Sequence, residues 1–144
     1  MATSKELYER TAKAFNDHDG DAVESLCSQD SVLSAPGDLT FSGPTQIREF
    51  LQSWWEAFPD AHTIEREVLY AGSDCFVEEG TFHGTQDGVF RTPMGDIQPT
   101  HRPVSGEYVN ICKCRGDRVV SQYLIFDRMQ LLEQLGLVPT PATA

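Results

Sequence analysis

The sequence predicts an α+β fold, an antiparallel sheet curved beneath helices that cover one of its faces. Apolar residues recur at helical spacing in residues 4–28 and 44–58, and from His62 to Asp127 the period changes to two. Helices first and strands afterwards is the order of an α+β fold, whereas alternating helices and strands would indicate a parallel sheet. The length, 144 residues, suits a single core. We take residues 1–138 as one domain and "PTPATA", residues 139–144, as a disordered tail.

The first helix, from about Ser4 to Asn16, places Leu7, Tyr8, Thr11, Ala12 and Phe15 on one stripe. A short second helix, "GDAVESLCS", should bury Ala22, Val23 and Leu26. Short strands around Ser31–Ser34 and Leu39–Phe41 flank a turn at Pro36 and Gly37. The helix "GPTQIREFLQSWWEAFPD" starts at Pro44 and is stopped by Pro59. Ile47, Phe50, Leu51, Trp54, Trp55 and Phe58 give it one broad apolar face, suited to a core or to a cavity wall. Four strands follow, "HTIEREVLYAG", "CFVEEGTFH", "PVSGEYVNICKC" and "RVVSQYLIFD". Between the second and third, residues 84–102 form a loop long enough to be a lid or a binding loop. A last short helix carries Met129, Leu132 and Leu135 and stops at Gly136.

Composition excludes several classes. A formal charge of −11 argues against nucleic acid, which needs clustered Lys and Arg. No stretch approaches the ~20 apolar residues that span a bilayer, and the polar, periodic N-terminus is not a signal peptide. Cys27, Cys75, Cys112 and Cys114 form no C-x-x-C pair, which points to free thiols in a cytoplasmic protein. The four histidines lack metal-ligand spacing, so no metal site is expected.

Asp127 stands where an apolar strand meets an apolar helix, an unusual place for an acid. It is either a helix cap, with Gln130 completing a capping box, or a group that does chemistry. A turn centred on Gly116 and Asp117 pairs Asn110 with Tyr123, Tyr108 with Ile125 and Gly106 with Asp127. Alternation then puts Tyr108, Asn110, Cys112, Ser121, Tyr123, Ile125 and Asp127 on one face. Val109, Ile111, Val120, Gln122, Leu124 and Phe126 take the other. In the second strand Val77, Glu79, Thr81 and His83 share a face opposite Phe76, Glu78 and Phe82. His83 and His101, bracketing the long loop, are further titratable candidates.

Four segments, "IREFLQSWWEAFPD", "EEGTFHG", Pro99–Val104 and "YLIFDRMQLLEQLGL", resemble the SnoaL-like polyketide (ester) cyclases over roughly residues 5–137. That family belongs to the cone-shaped superfamily of nuclear transport factor 2 and ketosteroid isomerase. The resemblance implies an α+β barrel with N-terminal helices covering the concave face, and Asp127 as general acid/base of an intramolecular aldol closure. The chain departs from the family where His101 replaces a usual glycine and where Phe82 separates Thr81 from His83.

The expected site therefore has Asp127, His83 and His101 as catalytic groups, and Trp54, Trp55, Phe58, Tyr108, Asn110 and Tyr123 around a hydrophobic small-molecule substrate. A carboxylate takes a proton from carbon next to a carbonyl, a hydrogen-bond donor holds the enolate, and no cofactor is required. An isomerase or epoxide hydrolase on the same fold, or a non-catalytic binding or dimerisation module, remains as an alternative. The apolar outer sheet face of Val109, Ile111, Val120, Leu124 and Phe126 suggests a homodimer or tetramer.

Overall fold

The computed structural model describes residues 3–138. The expected tail at 139–144 lies outside the described residues. The elements run α1 (Ser4–Asn16), α2 (Gly20–Leu26), β1 (Cys27–Ala35), β2 (Leu39–Ser42), α3 (Gly43–Ala57), β3 (His62–Ala71), β4 (Cys75–Thr85), β5 (Phe90–Thr92), β6 (Gly95–Ile97), β7 (Pro103–Arg115), β8 (Arg118–Phe126) and α4 (Arg128–Gln134).

Local chemistry sets the helix starts. The Thr3 hydroxyl accepts the Glu6 N–H at 3.2 Å, and the Asp19 carboxylate accepts the Ala22 N–H at 3.0 Å. At α3 the Gln46 side-chain oxygen, four positions on, reaches back to accept the Ser42 N–H at 2.8 Å.

Six strands form one curved sheet in the order β2-β1-β8-β7-β4-β3, and β5 and β6 form a separate hairpin. The sheet is mixed rather than wholly antiparallel, because β1 runs parallel to β8. It is also open rather than closed into a barrel, with β2 and β3 at its edges. The β1–β8 contact joins distant parts of the chain, so no turn residue announces it. Helices α1–α3 cover the concave face. Ala14, Val23, Ile47 and Phe50 of the helices pack with Leu33 and Val104 of the sheet and Leu135 beyond α4 in one buried cluster. Each large side chain so buried contributes about 1.5–3 kcal/mol.

The expected long loop is in fact a pinned cap. Gln86 is fully buried, and its amide N–H₂ donates to the carbonyls of Gly88, Ile97 and Gln98 at 3.1–3.2 Å. Its Oε1 accepts from the Thr100 N–H at 3.1 Å and the Thr100 hydroxyl at 2.7 Å. Phe90 of β5 then packs on Trp54 and Phe58.

The β7–β8 register corrects the face assignment. The predicted pairing holds next to the turn, at Cys114–Val119 and Arg115–Arg118, but from Lys113 onward the partners slip by one, to Lys113–Ser121, Asn110–Leu124 and Tyr108–Phe126. Val120 is the extra residue of a β-bulge, and one extra residue reverses every later side chain of the strand. Gln122, Leu124 and Phe126 therefore share the concave face with Tyr108 and Asn110, while Tyr123 and Ile125 point outward.

Candidate active site

A cavity of about 160 Å³ lies between the helices and the concave face. Leu51 and Trp54 of α3, Leu33 of β1, Phe82 of β4, and Leu124 and Phe126 of β8 make its wall largely apolar. Gly106 lies near one end, where an added Cβ would meet only the Gln130 side-chain oxygen, at 3.5 Å.

Polar groups gather on β4 and β7. Glu78 lines the cavity and is only 8% exposed. It sits directly across the ladder from Asn110, and Gly80 sits across from Tyr108. The Tyr108 hydroxyl leans over Gly80 and donates to Glu78 Oε2 at 2.6 Å. Burial raises the Glu78 pKa above the usual carboxylate value, with help from the charge of Glu65, although the Tyr108 hydrogen bond works the other way. Burial, then the Glu78 charge, raises the Tyr108 phenol well above its ordinary value. Asn110 Oδ1 is buried with no hydrogen-bond partner among the described residues. Nearby, Tyr8 of α1 donates to Glu65 of β3, and burial and that bond raise its pKa as well.

Asp127 lines the same cavity but is exposed, so it marks an open end. It is the N-cap of α4: Oδ1 accepts the Gln130 N–H at 3.1 Å, and Oδ2 has no protein partner among the described residues. It leaves the strand face on which alternation had placed it with Tyr123 and Ile125.

The other candidates separate. Trp54, Tyr108 and Asn110 line the cavity. Trp55, the next position round the helix, turns away and stacks on His18 with ring centroids 5.2 Å apart. Phe58 is fully buried behind Phe82 and Phe90, in the core rather than at the cavity. Tyr123 is 54% exposed on the outer face, displaced there by the bulge. His83 is also on the outer face, stacked on its cross-strand partner His62 at 5.3 Å. His101 is exposed and its Nδ1 meets Asp87 at 2.9 Å; its φ of 58° is the left-handed conformation that favours glycine. Neither histidine lines the cavity.

Sequence reading missed Glu78. Its signal was an acid in the stripe Phe76–Glu78–Phe82, which period-two alternation turns inward with the two phenylalanines. Among the described residues no group of three or more His, Cys, Asp and Glu could hold a metal ion. No described helix is long and apolar enough to cross a membrane.

The family described as SnoaL-like polyketide cyclase matches residues 5–135. None of the curated proteins matches the chain in sequence. Among solved structures, AclR of Streptomyces galilaeus, a proposed hydroxylase, superposes with a TM-score of 0.79 at 25% identity, covering 95% of this chain and 87% of its own. A protein of Jannaschia sp. CCS1, proposed as a SnoaL-like polyketide cyclase, gives 0.80 at 17% identity, with 96% and 97% covered. IdmH of Streptomyces antibioticus, a proposed polyketide cyclase, gives 0.76 at 23% identity, with 92% and 98% covered. The last two share the fold with this chain.

Proposed function

The chain belongs to the SnoaL-like polyketide cyclases, and from that premise we propose that it is a cofactor-free enzyme closing a ring in a small, largely apolar molecule by acid–base catalysis. The observation that carries this reading is Asp127 at the open end of an apolar cavity, with one carboxylate oxygen held by Gln130 and the other without a partner among the described residues. In the proposed reaction Asp127 takes a proton from carbon next to a carbonyl. The resulting enolate carbon attacks a second carbonyl of the same molecule, and the proton ends on the new alkoxide oxygen. One carbon–carbon bond forms, one C–H bond becomes an O–H bond, and the mass is unchanged. Trp54 and Phe82 would hold the substrate folded, which removes much of the entropic barrier to closure. The reading does not use His83, His101 or Tyr123, which lie away from the cavity.

The first step is tested by solvent deuterium. A panel of linear diketones spaced to close six-membered rings, incubated with the protein in heavy water, should gain deuterium next to a carbonyl and yield cyclised product faster than in buffer. Exchange without cyclisation would favour an isomerase. Exchange no faster than in buffer across the panel would refute proton abstraction.

A further inference from the structure

We propose that the cavity takes an amine, one apolar ring carrying a single protonated amino group, and that Glu78 is the counter-ion of that group. This rests on the reading above only in taking the cavity as the ligand site, and needs nothing of Asp127 as a base.

Three observations carry it. First, the charge facing the cavity has one sign. Glu78 and Asp127 line it, and among the described residues no Lys, Arg or His does. Glu107 also borders it, but its carboxylate is spent on Arg66, which pairs with Glu79 as well. A cleft with low-dielectric walls and one sign of charge focuses its field and draws the opposite charge. Second, Glu78 is a buried acid without a cation. It is 8% exposed, and its one hydrogen bond among the described residues comes from the uncharged Tyr108 hydroxyl, onto Oε2. Acids so buried are seldom left unpaired. Oε1 has no partner among the described residues but, unlike Asn110 Oδ1, keeps accessible surface, so a group in the cavity can meet it. Glu65, the acceptor of the Tyr8 hydroxyl, adds further negative charge near Glu78. Third, this pole can only accept. A carboxylate has no donor, and the Tyr108 hydroxyl has given its proton to Glu78. An ammonium group only donates. A neutral amine that meets a protonated carboxyl takes up its proton and ends as the same ion pair, so the match holds from either starting state. A carboxylate ligand would instead face two acids and no cation. Trp54, Phe82 and Phe126 wall the space for the ring, and the negative faces of aromatic rings favour a nearby cation over an anion. The cavity measures about 160 Å³, close to the ~150 Å³ of an apolar cavity that admits benzene. One ring fits.

The test is a binding measurement near neutral pH with benzylamine, toluene and benzoate, which share a ring and differ in charge. Calorimetric or NMR titration of the wild-type protein should detect benzylamine and toluene and find no benzoate binding. Glu78→Gln keeps the shape and removes the charge. It should weaken benzylamine about tenfold or more, the loss of a charge-assisted hydrogen bond, while toluene changes less than about twofold and so reports an intact cavity. Carboxyl-carbon NMR of the wild-type protein needs no variant: the Glu78 signal should move with benzylamine and stay with toluene. All of these read binding rather than turnover, so they stand apart from the outcome of the deuterium experiment. Wild-type protein that takes toluene but not benzylamine, that takes benzoate as well as the amine, or that binds none of the three would overturn the proposal. So would a Glu78 signal that ignores benzylamine, or an amine affinity that falls in Asp127→Asn and not in Glu78→Gln.

Discussion

The Tyr108 hydroxyl reaches Glu78 by crossing Gly80, its own cross-strand partner, rather than by lying beside the acid. A Cβ at Gly80 would stand 2.8 Å from that hydroxyl and 2.7 Å from the Ile64 carbonyl oxygen. Neither approach is tolerable, and the carbonyl, as backbone, cannot move aside cheaply. Gly80→Ala should therefore cost about 1–3 kcal/mol, as overpacking does, and should part the phenol from the acid. A denaturant titration gives the first, and a shift of the Tyr108 ring NMR signals reports the second.

Glu78 also predicts how stability varies with pH. Its folded pKa is raised, chiefly by burial. Its favourable contribution is complete below the unfolded value of about 4.3 and is lost as pH rises through the folded value. Over that window the native state holds one proton more than the unfolded state. Stability should then fall with pH by no more than about 1.4 kcal/mol per unit. Glu78→Gln stays neutral and still accepts from Tyr108. It should flatten this slope and be more stable than wild type at pH 7, in urea titrations run between pH 4 and 8.

Much of the fold was legible because its signals are local. The helical stripes, Pro44, Pro59 and the turn at Gly116 and Asp117 placed the main elements near their observed positions. The misassigned faces trace to one residue. Both faces of β8 are partly apolar, so hydrophobic alternation could not reveal the bulge at Val120, and the error then carried Tyr123 inward and Phe126 outward. The hairpin β5–β6 was hidden for another reason. Its anchor is a buried glutamine amide whose partners span residues 88–100, a network with no periodicity. Glu78 is legible as an inward acid, but period-two alternation does not tell an acid that lines a cavity from one paired within a core.

Neighbouring tryptophans should behave differently. Trp54 lines the cavity, and Trp55 is buried against Phe15 and His18 with its Nε1–H unpartnered among the described residues. In Trp55→Phe protein a cavity ligand should still perturb the remaining indole fluorescence, and stability should change little because an unsatisfied donor is removed along with the packing. In Trp54→Phe protein the ligand signal should disappear. Equal ligand responses from the two variants would contradict the placement of Trp54.

The outer sheet face predicts self-association, although Leu124 and Phe126, expected on it, face the cavity and Tyr123 and Ile125 take their place. Ile64 and Leu69 are each 56% exposed, Tyr123 54% and Ile125 44%, all on the side away from the helices. Such a surface is more apolar than a lone strand edge requires. Light scattering at micromolar concentration should give a dimer or larger assembly, and Ile125→Lys should give a monomer whose fold is intact by circular dichroism. A wild-type monomer would refute it.

Asp127 carries two separable roles, and one pair of substitutions divides them. As the N-cap of α4 it accepts the Gln130 N–H. Asparagine caps about as well, whereas alanine cannot. Asp127→Asn should thus match wild-type stability, and Asp127→Ala should lose about 1 kcal/mol. As a base, however, the carboxylate has no substitute in either variant. Turnover should fall by about a hundredfold or more in both, even though only the alanine variant is less stable. If turnover instead follows stability, with asparagine fully active, Asp127 is a cap alone and the catalytic proton transfer belongs elsewhere in the cavity, with Glu78 the next carboxyl to test.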